Sequence, residues 1–201
     1  MAYMMVHLLV ARRWAERHAQ YRDNPDFLYG AISPDAIHVR DGNDKSHKNV
    51  IHLNNWGTFH EKDVLDYWRA RSSPFDVGYG VHVLTDAQWV PRYKKRLRGL
   101  FREDGSLDID FYFRENIATD FALRDELPDA EALLGLVERG KTPEDHPLLT
   151  AYEISRWREL MVEAYRGECP KPGLSRFVTP AYVHEFVEDS LALIDEVYGK
   201  I

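Results

Sequence analysis

Apolar residues recur at helical spacing through most of the chain. In residues 3–20 (YMMVHLLVARRWAERHAQ) they share one face, and Asn24-Pro25 is read as closing that segment. Residues 26–38 hold a turn signal, Ser33-Pro34-Asp35, and residues 40–57 are polar and Asn/Gly-rich, which predicts a long loop. Residues 60–71 (HEKDVLDYWRAR) predict a helix. Residues 74–89 (PFDVGYGVHVLTDAQW) are apolar almost throughout, so periodicity alone leaves buried helix and strand open. Pro91 to Phe101 predicts a separate basic helix with proline in its first turn. Further helices are predicted over 108–124, 129–139 and 148–165, with breaks at Pro143–His146 and Pro170–Gly173. Thr179-Pro180 is a cap plus first-turn proline that opens a last helix to about Val197. Sustained period-2 alternation is scarce. The fold class expected is all-α, a bundle-like packing of helices forming one domain over 1–201.

Composition supports a folded core and narrows the classes of function. The chain has 201 residues, of which 44% are hydrophobic and 12% aromatic. A chain of this size buries about 70% of its unfolded surface. Lys+Arg 26 against Asp+Glu 33 gives a net charge of -7, which argues against a stable nucleic-acid complex. The single cysteine, Cys169, excludes an intramolecular disulfide and a Cys-rich zinc module. The apolar run Met4–Val10 is interrupted by His7 and lacks the basic region and cleavage site of a signal peptide. No segment approaches the ~20 apolar residues of a membrane span. The expected location is the cytoplasm.

The chemistry lies in the histidines. There are nine, six of them before residue 61. His82 and Asp86 stand at i and i+4 in G-Y-G-V-H-V-L-T-D-A-Q-W, so a helix points both at one spot. Their apolar neighbours imply burial, and a buried carboxylate needs a partner. An imidazole and a carboxylate can share a divalent metal, zinc accepting both donors; a plain side-chain hydrogen bond is the simpler reading. Other potential ligands sit in similar settings. His7 interrupts an apolar face, where a satisfied core histidine is the alternative. Asp35 follows Ser33-Pro34, where a helix N-cap is the alternative. His52 lies in N-V-I-H-L, with His47 five residues before it as a surface loop residue, and His38 can line or support the same pocket. Tyr112, Asn116 and Asp120 would stack on one helix face, as a polar line into a pocket or as a face in water.

Taken in order, His7, then F-L-Y-G-A-I-S-P-D ending at Asp35, then a loop histidine before Leu53, then G-Y-G-V-H-V-L-T-D with His82 and Asp86, the chain resembles the zinc-dependent phospholipase C family. That family belongs to a larger superfamily with fungal single-strand-specific nucleases. The motifs cover residues 1–90; the remainder, 91–201, matches only as helical continuation. The resemblance implies an all-helical hydrolase with clustered metal. In such families the P-D aspartate, a loop histidine and both members of H-x-x-x-D hold one zinc, here Asp35, His52, His82 and Asp86. His7 is implied in a neighbouring zinc, bridged by Asp86. His52 is chosen over His47 because the family's loop histidine tends to precede an apolar residue. The chain also departs from the pattern. The secreted phospholipases use a processed N-terminal residue as a ligand, and no signal peptide is seen here. Their later histidine and H-x-x-x-E have no counterpart in A-Q-W-V-P-R-Y-K-K-R after Asp86. His184 and Glu188 have the spacing but are expected on the surface of the last helix. One or two zinc ions are therefore expected rather than three.

The reaction expected is hydrolysis of a small-molecule or lipid phosphate ester. Zinc brings the pKa of bound water down towards ~7, and Asp35 or Asp86 orients that water and takes its proton. No P-loop, G-x-S-x-G, H-E-x-x-H or His-Asp dipeptide is present. The basic stretch Arg92, Lys94, Lys95, Arg96, Arg98, Arg102 is either an anion-guiding rim or a solvated helix with Leu97, Leu100 and Phe101 inward. The five tryptophans read as core or pocket wall. The rival expectation is a non-catalytic helical protein keeping a residual metal site for stability or for a partner.

Overall fold

The structure is a computed structural model that describes residues 2–41, 46–55 and 58–201, with the side chains of 41, 90 and 93–96 outside the description. In chain order the helices are α1 (Met4–Ala15), α2 (Pro25–Gly30), a 3-10 turn (Ser33–Ala36), α3 (Ile37–Asp41), α4 (Lys48–Ile51), α5 (Glu61–Ala70) and α6 (Pro74–Arg96). A 3-10 turn (Arg98–Leu100), α7 (Ile109–Glu126), α8 (Ala130–Arg139), α9 (Ala151–Arg166) and α10 (Pro180–Tyr198) complete it. Among the described residues there is no strand, only an isolated bridge between Phe101 and Leu107. The fold is all-α. No helix of the described residues is long and apolar enough to cross a membrane.

The apolar run at 74–89 is helical and lies in the centre of the molecule. Phe75, Val77, Tyr79, Val81, Val83, Leu84 and Trp89 of α6 are all buried. A helix covered on every side shows no polar stripe, which is why its period was ambiguous. α2 crosses α6 at backbone contact. A Cβ on Gly30 would stand 2.0 Å from the Phe75 carbonyl oxygen, and one on Gly78 would stand 2.0 Å from that of Phe27. Only glycine permits that approach, and it sets the turn carrying Asp35 beside the middle of α6.

Three element boundaries differ from the sequence expectation. α1 stops at Ala15 rather than continuing to residue 20, because its apolar stripe ends at Trp14 and Ala15 while Glu16 and Arg17 are exposed. Asn24-Pro25 opens a helix instead of closing one: the Asn24 side chain accepts the N–H groups of Asp26 (3.0 Å) and Phe27 (3.2 Å). Pro91 does not start a new helix but lies inside α6. Little helix follows it, so few hydrogen bonds are at stake, and just before it Trp89 is buried edge-on against Phe186 of α10, ring centroids 4.8 Å apart. The segment read as loop over 40–57 contains α4. Trp56 lies outside the described residues.

Candidate metal centre

Four separate pieces of chain bring five side chains to one place. α1 supplies His7, the 3-10 turn Asp35, the residue capping α4 His52, and α6 both His82 and Asp86. All five are buried, none more than 6% exposed. Candidate ligand atoms of His7, Asp35 and His82 lie within 4.8 Å of one another, and so do those of His52, His82 and Asp86. His7 Nε2 is 3.5 Å from Asp86 Oδ1, and His52 Nε2 is 3.5 Å from Asp86 Oδ2 and 3.7 Å from Asp35 Oδ1. The His7 and His82 rings stack face to face, 3.6 Å between centroids. Asp35 lies inside its 3-10 turn, whose N-cap position is Ile32.

Backbone carbonyls set the ring orientations. His82 Nδ1–H donates to the Ala31 carbonyl at 2.8 Å, and His52 Nδ1–H to the Lys48 carbonyl at 2.9 Å. A carbonyl only accepts, so in each neutral ring the lone pair sits on Nε2, facing the cluster. His7 Nδ1 and Nε2, His82 Nε2 and Asp86 Oδ2 are buried with no hydrogen-bond partner among the described residues. Orphans of this kind are rare in folded proteins. Asp86 Oδ1 accepts the Ala2 N–H at 2.8 Å.

The electrostatics divide the rings. Burial lowers the pKa of His7, and burial together with the neighbouring His7 takes His82 well below the usual imidazole range. Both are neutral, as a metal ligand must be. Burial also works against a charged His52, but Asp35 and Asp86 outweigh it and raise that ring. Burial would raise Asp35, yet the Lys48 ammonium and His52 hold it well below the carboxylate range. Asp86 is likewise low despite its burial, the His52, His7 and His82 imidazoles being among the causes.

A cavity of about 400 Å³ opens on one side of this cluster, touching His7, Asp35 and His82. Its remaining wall is largely apolar: Ile32 just before the Asp35 turn, Ile117 and Phe121 of α7, and Trp157, Met161 and Ala164 of α9. His52 and Asp86 do not line it.

The other candidates fall elsewhere. His47 is exposed. His38 is half-buried beside the cluster, its Nε2 3.1 Å from the Lys48 ammonium and 3.9 Å from Asp35 Oδ1. His184 is on the surface of α10, 3.1 Å from Glu126. Arg92 turns to Asp189 and Glu185 of α10, and Leu97 and Leu100 are buried. The side chains of Lys94, Lys95 and Arg96 lie outside the described residues.

Tyr112, Asn116 and Asp120 are all buried, so the expectation of a water-facing helix face does not hold. Nor is Asp120 in either ligand group. Its carboxylate accepts the N–H groups of Met5 (2.8 Å) and Val6 (3.1 Å) and the Tyr165 hydroxyl, capping the first turn of the helix that carries His7.

Burial pushes Asp120 from the ordinary 3.8 up to about 7. The folded chain then holds a proton that the unfolded chain has released between those values. This contribution to stability is full below the ordinary value and fades as pH rises through the folded one, a change of about 4 kcal/mol. Urea unfolding of wild type and Asp120→Asn from pH 4.5 to 8 should therefore show stability falling with pH more steeply in wild type. Parallel curves would contradict the raised pKa.

One residue of the cluster was missed by sequence reasoning. Lys48 is 2% exposed, with its ammonium 3.4 Å from Asp35 Oδ1. The available signal was its place four residues before His52, which puts both on one side of a helical turn.

No family model, curated protein or solved structure matches this chain. The phospholipase C resemblance thus stays with the motifs, and the functional reading stands on the site's own geometry.

Proposed function

We propose that the chain is a metal-dependent hydrolase of phosphate esters that carry a compact apolar group. The observation that supports this best is the meeting of His7, Asp35 and His82 at the wall of an apolar cavity. Two neutral imidazoles and a carboxylate are a donor set that zinc accepts, and the orphaned Nε2 atoms of His7 and His82 fit such an ion. His52 and Asp86 extend the donor set away from the cavity lining, as a second group that shares His82 with the first. Zinc, when bound by these residues, would supply Lewis acidity and water acidified towards ~7. Asp35 is the carboxylate of the cluster that lines the cavity, so it would orient the attacking water by accepting its hydrogen bond. Asp86 acts from behind as a ligand. Ile117, Phe121, Trp157 and Met161 hold the apolar part of the ester and exclude bulk water from the reacting phosphorus.

A second reading is a non-catalytic protein that uses the metal for stability or for a partner. It draws on one observation: no lysine or arginine is among the described residues lining the cavity, so no side-chain cation meets a phosphate there.

The test is elemental analysis of protein purified without added zinc, then hydrolysis assays with aryl phosphomonoesters, aryl phosphodiesters and short-chain phospholipids, with and without chelator. Stoichiometric metal with chelator-sensitive turnover is the expected result. Stoichiometric metal with no turnover on any of the three selects the second reading. Protein that takes up no metal removes both.

A further inference from the structure

Two carboxylates are buried in one cluster, Asp35 at 6% and Asp86 at 2% exposure. Lysine is almost never buried without a partner, yet Lys48 is buried beside Asp35. The same residue offers its carbonyl to His52 Nδ1–H. One residue of α4 therefore acts on two members of the cluster, turning the His52 ring with its backbone and balancing Asp35 with its side chain. It does both from outside the cavity, which Asp35 lines and Lys48 does not.

We infer that Lys48 is a built-in counter-cation, standing in for a metal ion's charge at Asp35 and keeping the ligand cluster folded while no metal is bound. The inference rests on the metal-site reading above, but its first half concerns the metal-free protein alone. Without Lys48 or a metal, Asp35 faces only the imidazoles of His52 at 3.7 Å and His38 at 3.9 Å, and a buried carboxylate short of a full counter-charge is poorly tolerated by a fold. Lys48 removes that situation. The site then does not have to be assembled by the metal, as it is in small zinc domains that are unfolded without it. When zinc arrives, its charge makes the ammonium redundant.

The experiment is thermal unfolding of wild type, Lys48→Met, Lys48→Arg and the double variant Lys48→Met/Asp35→Asn, each in chelator and in excess zinc. In chelator, Lys48→Met should melt about 6–20 °C below wild type, the range set by breaking one partner of a buried pair in a chain of this size. Lys48→Arg should recover most of the loss. The double variant should melt above Lys48→Met, because the stranded charge is gone. A residue that only fills space would not be rescued by removing its partner's charge. In zinc, the gap between Lys48→Met and wild type should close to a few degrees. If Lys48→Met does not fold in chelator, refolding on zinc addition and a folded double variant are the same result in stronger form. Equal melting of wild type and Lys48→Met in chelator, or a double variant no better than Lys48→Met, overturns the inference. Rescue by Asp35→Asn with no zinc effect on any variant upholds the Lys48–Asp35 pairing and defeats the metal site instead.

Discussion

Asp86→Asn is expected to empty the site of metal and lower metal-dependent hydrolysis by ~10³-fold or more, the scale of losing a metal's several kcal/mol of charge stabilisation. The amide is the instructive choice. It keeps an oxygen for the Ala2 N–H, which Asp86 Oδ1 accepts at 2.8 Å, so the local hydrogen bond survives. What it removes is the negative charge that faces His7 at 3.5 Å and His52 at 3.5 Å. His82, its helical neighbour at i−4, keeps its bond to the Ala31 carbonyl. A loss of metal therefore reads on the donor set and not on a collapsed helix. Metal content and kcat/KM measured on the same preparation decide it. A variant with wild-type zinc and wild-type rate would place Asp86 outside the chemistry.

Gly78→Ala, like Gly30→Ala across the same helix contact, is expected to be strongly damaging away from the cluster, costing about 3 kcal/mol or more. The added Cβ would meet the Phe27 carbonyl oxygen at 2.0 Å and the Ala31 nitrogen at 3.0 Å. Both are backbone atoms, so no side-chain rotation relieves the clash and α2 has to move off α6. Ala31 belongs to the segment that moves, and its carbonyl holds His82 Nδ1. The variant should melt roughly 6–12 °C lower and bind zinc more weakly, two effects with one cause. Melting within a degree of wild type would show that the two helices yield more easily than their contact implies.

What could be read along the chain was set by local contrast. His7 and His82 stood out because an imidazole in an apolar stretch has to be explained, and Asp86 because helical spacing ties it to His82. Asp35 was legible through its turn. Lys48 was not, because a lysine in a polar, Asn-rich stretch looks like any solvated residue, and only the folded chain shows it under cover. Local spacing leaves Asp120 open between pocket and water, and it faces neither; its partners include N–H groups 115 and 114 positions away, which leave no trace in local spacing. Pro91 misled for a related reason. Its break signal is real, but α6 is gripped by neighbouring helices and the signal is outweighed by contacts that only the tertiary structure supplies. The helical class itself was recoverable, since most segments carry one polar side.

The donors at the cluster come from the first ninety residues of the chain, whereas much of the cavity's greasy lining comes from α7 and α9, beyond residue 108. On the proposed hydrolase reading, reactivity and selectivity are thereby written in different parts of the polypeptide. Exchanges at Ile117, Phe121, Trp157 or Met161 can reshape what is admitted while leaving the reactive groups as they are. A library confined to those positions would sample new guests while leaving the proposed donor set untouched.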